Sequence, residues 1–149
     1  MILRDLFQNQ LLMSAILSWL VAQVLKTIIY ACQTGKLDWS RLFGDGGMPS
    51  GHSATVSALA TASAFHYGLG SCQFAISTIL AIIVMHDAYG VRLESGKQAH
   101  AINEIIQLLK QDILNPSVEK LKELLGHTPI QVTMGAILGV VVALIYCLC

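Results

Sequence analysis

The residues best suited to chemistry in this sequence cluster in one short stretch, Gly46-Gly47-Met48-Pro49-Ser50-Gly51-His52-Ser53, which runs into a small-residue segment from Ala54 to Phe65. Gly47 and Gly51 let the backbone approach a ligand closely, and Pro49 fixes one φ. The amides of the first turn of the following helix have no intrahelical partner. A turn of this kind, ending in hydroxyls and an imidazole at a helix start, is suited to hold an anion such as phosphate. The plainer alternative is that Ser50 or Ser53 serves only as the helix N-cap and His52 is a bystander. Elsewhere the chain carries Lys26 in an apolar segment, Asp87 at the end of another with Arg92 just after it, and His127 just before the last.

The elements that must position these groups are greasy. Hydrophobic residues make up 54% of the 149 and charged ones 12%, and mean hydropathy is +0.63, too apolar for an ordinary soluble domain. Net charge is zero, so no global basic field recruits nucleic acid. Cys32, Cys72, Cys147 and Cys149 show neither C-x-x-C nor zinc-finger spacing and read as buried or membrane-facing small residues. The start of the chain has no basic region followed by a small-residue cleavage site, so a cleaved signal peptide is not expected.

Four apolar helices are predicted, over about 11–32, 52–67, 73–88 and 129–148, in a single membrane domain covering 1–149. The first is broken only by Gln23 and Lys26, which share a face with Trp19 and Tyr30. An intramembrane lysine either faces a polar cavity or snorkels to the interface. In the second, Ala54, Ala58 and Ala62 form a stripe that allows close helix packing. Gly135 and Gly139 make a G-x-x-x-G face in the last, able to join helices within one chain or between two copies. Glycine and alanine faces of this kind lead to the expectation of a homodimer. Between about 96 and 125 an apolar stripe (Ile102, Ile105, Ile106, Leu109, Ile113) alternates with charge, giving an amphipathic helix that Asn115-Pro116 breaks before a second, shorter one. That pair could lie on the membrane, pack over the bundle or meet a partner chain. The fold class expected is therefore all-α: an integral-membrane bundle of about four spans plus cytoplasmic amphipathic helices.

With four spans, the 33–51 loop and the 90–128 segment share one side of the membrane. That side holds Lys36, Arg41, Arg92, Lys97, Lys110, Lys120 and Lys122, and the other holds only Arg4. The positive-inside rule then makes the glycine-rich loop cytoplasmic in a multi-pass protein. The same arrangement gathers Lys26, the Ser50/His52 turn, Asp87, Arg92 and His127 at one membrane face. Cations to neutralise phosphate oxygens, backbone donors and two imidazoles are the groups phosphoryl transfer uses.

With these residues in view the sequence resembles the divergent branch of the type 2 phosphatidic acid phosphatases, a group related to acid phosphatases and vanadium-dependent haloperoxidases. The resemblance covers nearly the whole chain. It is carried by Ala22-Gln23 with Lys26, the Gly46–Ala54 turn, Asp87-Ala88 with Gly90-Val91-Arg92, Gly96 with Gln98-Ala99 and Asn103, and Glu123-Leu124-Leu125-Gly126-His127-Thr128-Pro129. It implies an enzyme that needs no metal or cofactor. Lys26 and Arg92 would hold phosphate, Ser50 and Gly51 would donate to its oxygens, His52 would be the general acid and His127 the nucleophile, with Gln23, Asp87, Gln98, Asn103 and Gln131 in support.

Three departures from the superfamily pattern stand out. No proline follows Arg41 to complete the R-P of the first motif, and Gln98 stands where the third motif has its histidine. His100 and His86 are therefore alternative nucleophiles. Gln131 occupies the place four residues after His127 that is commonly acidic. It can orient an imidazole but cannot stabilise imidazolium by charge.

Two functions follow: a metal-independent phosphatase acting on a polyprenyl or glycerolipid phosphate through a phosphohistidine, or a non-catalytic membrane protein that binds a phosphate or phospholipid head group as scaffold or regulator. Membrane lipid is the expected partner in either case. Vanadate-dependent oxidation fits a lipid-embedded site poorly, and the short spans show no sign of the broken midplane helices of transporters.

Overall fold

The computed structural model describes residues 2–39, 47–112 and 127–149, all of them helical or in the short connections between helices. Among the described residues six helices follow in order: α1 (Ile2–Gln8), α2 (Gln10–Thr34), α3 (Gly51–Tyr67), α4 (Cys72–Tyr89), α5 (Val91–Asp112) and α6 (Pro129–Leu148). Their boundaries have local causes. The Asn9 side chain accepts from Leu12 N at 3.1 Å and opens α2, splitting off the short α1, which periodicity had not indicated. Ser50 and Ser71 cap α3 and α4 in the same way. Thr128, Pro129 and Gln131 build a full capping box at the start of α6.

The bundle is organised around α3, which packs on α2, α4 and α6. Lys26 lies beside Gly47, Trp19 beside Gly51 and Ser18 against the Ala54 carbonyl, so α2 runs antiparallel to α3. Gly135 sits on Ser50 and Gly139 on Ala54 and Ala58, so α6 runs parallel to it. A Cβ at Gly135 would overlap the Ser50 carbonyl oxygen, and one at Gly139 the Ala54 carbonyl oxygen. The G-x-x-x-G face is thus occupied by α3 of the same chain, and a homodimer would have to use another surface.

Burial is inverted relative to a water-soluble domain. Ala22, Ala54, Ala58, Ala62 and Ala143 are wholly enclosed, and the largest fully buried side chains are serines. Ile16, Leu20, Val24 and Ile28 of α2, Ile79, Ile82 and Ile83 of α4, and Ile137, Val141 and Ile145 of α6 all point outward. In lipid the apolar side chains gain nothing by leaving the surface, so small residues take the interior, where they let helices approach closely. Serine hydroxyls are absorbed locally, as in Ser14 Oγ to Leu11 O at 2.9 Å and Ser77 Oγ to Gln73 O at 2.8 Å.

Among the described residues three helices, α2, α4 and α6, are long and apolar enough to cross a membrane. The remaining apolar helix, α3, has 17 residues, about 26 Å at the α-helical rise, and is screened by the other three. The cysteines are free, with Cys32, Cys72 and Cys149 exposed and Cys147 half-buried, so the buried reading of them gives way to the surface one. The amphipathic helix begins at Val91, five residues before the sequence pattern, because Gly90 keeps right-handed helical angles and α4 passes almost directly into α5. Among the described residues α5 packs on α4 alone. The break at Asn115-Pro116 and the second amphipathic helix lie outside the described residues, as do Gly46, Arg41 and Asp45.

Candidate functional site

Four helix ends meet at one end of the bundle: the C-terminal parts of α2 and α4 and the N-termini of α3 and α6. Two backbone bonds tie the junction. Ser50 N donates to Gln131 O at 3.0 Å, joining the start of α3 to the first turn of α6, and His127 N donates to Ala88 O at 3.1 Å, joining the approach to α6 to the end of α4. The positive dipole ends of α3 and α6 therefore lie side by side, a favourable setting for an anion.

Lys26 is brought into this junction. It is only 5% exposed, so it does not snorkel, and its stem runs under the glycine-rich turn. A Cβ on Gly47 would fall 3.1 Å from Lys26 Cγ and 3.3 Å from Cδ, pressing on the lysine stem, and φ of +86° is a conformation that favours glycine. One turn earlier on α2, Gln23 is equally enclosed. Trp19, one further turn back, abuts Gly51, where a Cβ would meet its Cδ1 at 3.4 Å.

Ser50 is wholly buried and acts as the N-cap. Its Oγ accepts from Ser53 N at 3.3 Å and from Ser53 Oγ at 3.0 Å, while its own N–H is taken by Gln131 O. That donor is consumed in fastening α3 to α6, and only the hydroxyl hydrogen is left for a ligand. Gly51 and His52 form the first turn of α3, with Gly51 buried and His52 half-buried.

His127 is 5% exposed and faces His52 with ring centres 6.2 Å apart and planes inclined by 55°. Its Nδ1 lies 3.3 Å from Gln131 Oε1. That oxygen also accepts from Thr128 N at 3.1 Å, which identifies it as the carbonyl end of the amide. The proton of a neutral His127 ring then sits on Nδ1, and Nε2 carries the lone pair. Gln131 thus does two jobs with one oxygen, completing the α6 capping box and setting the imidazole tautomer.

Other residues expected at the site are placed differently. Asp87 is half-buried in the last turn of α4, one residue before the carbonyl that holds His127 N. Arg92 lies in the first turn of α5, next to the same junction in the chain, and its side chain lies outside the described residues. Gln98 is exposed on α5, and Asn103, on the same helix, is buried. Among the described residues the helix that carries them, α5, packs on α4. Of the alternative nucleophiles, His86 is exposed and His100 lies on the exposed side of α5 with Nε2 3.7 Å from Glu104 Oε1. Geometry therefore groups Lys26, Gly47, Ser50, Gly51, His52, His127 and Gln131.

Three contributors went unrecognised as such in the sequence: Trp19 as the wall behind Gly51, Thr128 as the cap that fixes Gln131, and the Ala88 carbonyl. The Thr-Pro-Ile-Gln run carried a readable capping-box signal for Thr128, whereas a backbone carbonyl leaves none.

The model of the divergent PAP2 family matches residues 7–142, a span containing every residue of this junction. The chain belongs to the divergent PAP2 family. Its sequence is 41% identical to the uncharacterized membrane protein YuiD of Bacillus subtilis (strain 168), over 95% of this chain and 96% of that one. No solved structure matches the chain. Membership in this family makes the protein a membrane protein related to phosphatases.

Proposed function

We propose that this protein is an integral-membrane phosphatase that hydrolyses a polyprenyl or glycerolipid phosphate through a phosphohistidine intermediate. The observation that carries the reading is the pair of imidazoles, His52 and His127, facing each other 6.2 Å apart at the anion-favouring end of α3 and α6. The lipid tail lies in the bilayer against the outward apolar faces, and its head group enters the junction. Lys26, Arg92 and the first-turn amide of Gly51 neutralise and orient the phosphoryl oxygens. Nε2 of His127 attacks phosphorus as the bond to the lipid oxygen breaks, and His52, protonated, gives its proton to the departing alkoxide. Water then attacks the phosphohistidine, His52 takes a proton from that water, and the phosphorus–nitrogen bond breaks to release phosphate and restore neutral His127.

In this reading α3 is a fourth, enclosed span, and the junction lies on the cytoplasmic side, where the basic residues gather. A second reading rests on Gln131. Gln131 stands where the family pattern commonly has an acidic residue and, being neutral, lends imidazolium no charge, which suits a protein that binds a phosphate or phospholipid head group without turnover.

Phosphate release by purified protein from a panel of polyprenyl and glycerolipid phosphates distinguishes the two. The phosphatase reading expects release that is lost in both His52→Ala and His127→Ala. Release surviving in His127→Ala would move the nucleophile elsewhere. Tight vanadate binding with no release from any substrate would replace the phosphatase by the binding protein.

A further inference from the structure

Gln23 stands out among the enclosed polar side chains of the bundle. It is 93% buried, and its Oε1 has no hydrogen-bond partner among the described residues. Its neighbours on α2 are provided for: Ser18 Oγ donates to Ala54 O at 3.1 Å, and Thr27 Oγ1 donates to Gln23 O at 2.9 Å. Leaving a buried acceptor unmet is costly in a protein interior, and doubly so where lipid surrounds the bundle. A methionine would fill almost the same volume at no such cost.

The position of Gln23 is triangulated by its helix. Trp19, four residues before it, abuts Gly51, and Lys26, three residues after it, runs under Gly47. Residues at these spacings form one stripe on a helix, so Gln23 lies opposite the middle of the glycine-rich turn, between the two points where α2 touches it. An enclosed primary amide with an unmet oxygen, set between a buried lysine and the N-terminus of α3, is in the place of a ligand-binding group.

We infer that Gln23 is a direct phosphoryl ligand of the junction, completing with Lys26 and the α3 N-terminus a cradle for a tetrahedral oxyanion. A primary amide suits this task in either orientation. Its NH2 donates to an unprotonated phosphoryl oxygen after a half-turn of the terminal torsion, and its carbonyl accepts from a protonated one. It adds grip without adding charge, in a chain where no R-P arginine completes the first motif. The inference rests on the anion pocket of the proposed function but not on hydrolysis.

The test is binding of inorganic phosphate, orthovanadate and short-chain phosphatidic acid to the full-length protein in detergent, compared with Gln23→Met. Ser14→Ala, a buried position on α2 whose hydroxyl bonds only to Leu11 O among the described residues, serves as the control for core substitution. Gln23→Met is expected to weaken all three ligands by about tenfold or more, the scale of a lost bond to a charged group. Its thermal midpoint should stay level or rise, because the unmet oxygen is gone. Unchanged affinity, or weakening confined to the lipid with inorganic phosphate unaffected, would overturn the inference. Should Gln23→Met fail to fold, Gln23→Asn keeps the amide but withdraws it by one methylene, and undiminished affinity there would overturn it equally. A wild-type protein that binds phosphate in a Gln23-dependent way yet releases none from any lipid supports this ligand role while removing the phosphatase. A wild-type protein that binds no tetrahedral oxyanion removes both.

Discussion

At the residue scale the chemistry turns on Gln131 and on Lys26. Gln131 Oε1 accepts from Thr128 N and faces His127 Nδ1, so a carboxylate at this place would keep both contacts and add charge. Gln131→Glu is therefore expected to fold normally, since glutamate serves a capping box as well as glutamine. An adjacent carboxylate favours imidazolium, which raises the pKa of His127, so the neutral nucleophile appears only at higher pH. The acid limb of the phosphatase pH profile should move upward. An unmoved limb would mean that His127 is not the group that titrates. Gln131→Ala leaves the Thr128 cap but loses the reciprocal half of the capping box and should cost about 0.5–1.5 kcal/mol of stability, read from thermal unfolding in detergent. Lys26→Ala should weaken vanadate or tungstate binding by about tenfold to a hundredfold, as removal of a charge-assisted donor does, and Arg92→Ala likewise. Unaltered binding in both variants would separate these cations from any shared pocket.

At the element scale the decisive contact is α6 on α3. Gly135 and Gly139 bring the two backbones so close that a methyl group at either position meets a carbonyl oxygen of α3. Gly135→Ala and Gly139→Ala are each expected to destabilise the fold by about 1–3 kcal/mol, the usual cost of forcing extra volume into a packed interface. They should differ in function. Gly135 presses on Ser50, whose N–H is held by Gln131 O, so its substitution should also weaken anion binding, whereas Gly139 lies a turn deeper against Ala54 and Ala58. Thermal unfolding together with vanadate titration separates the two effects. Equal loss of binding in both would show that binding follows stability alone.

At the scale of the whole molecule the ends of α2, α3, α4 and α6 bring Lys26, Ser50, His52 and His127 to one end of the bundle. Trp39, 68% exposed in the connection between α2 and α3, lies at the same end of the chain's helices and reports the proposed cytoplasmic orientation. In a cysteine-free background, a cysteine introduced at Trp39 should resist an impermeant thiol reagent in intact cells and react once the membrane is opened. Ready labelling in intact cells would reverse the orientation.

Much of this architecture was legible because the bilayer imposes it locally. Runs such as 129–148 are apolar all round, and the helix ends carry their own caps at Asn9, Ser50, Ser71 and Thr128, so span-length helices and their limits follow from composition and hydrogen-bond accounting along the chain. The glycine-rich turn, Lys26 and His127 were visible as unusual residues for their surroundings. Their company was not. Whether Lys26 snorkels or lies under Gly47, and whether Gly135 and Gly139 join α3 or a second copy, both depend on which helix packs on which. Small residues permit many close pairings in lipid, and nothing in their spacing selects among them. Only the packed bundle decided, by placing α6 parallel to α3 and letting two backbone bonds, Ser50 to Gln131 and His127 to Ala88, draw distant segments into one junction.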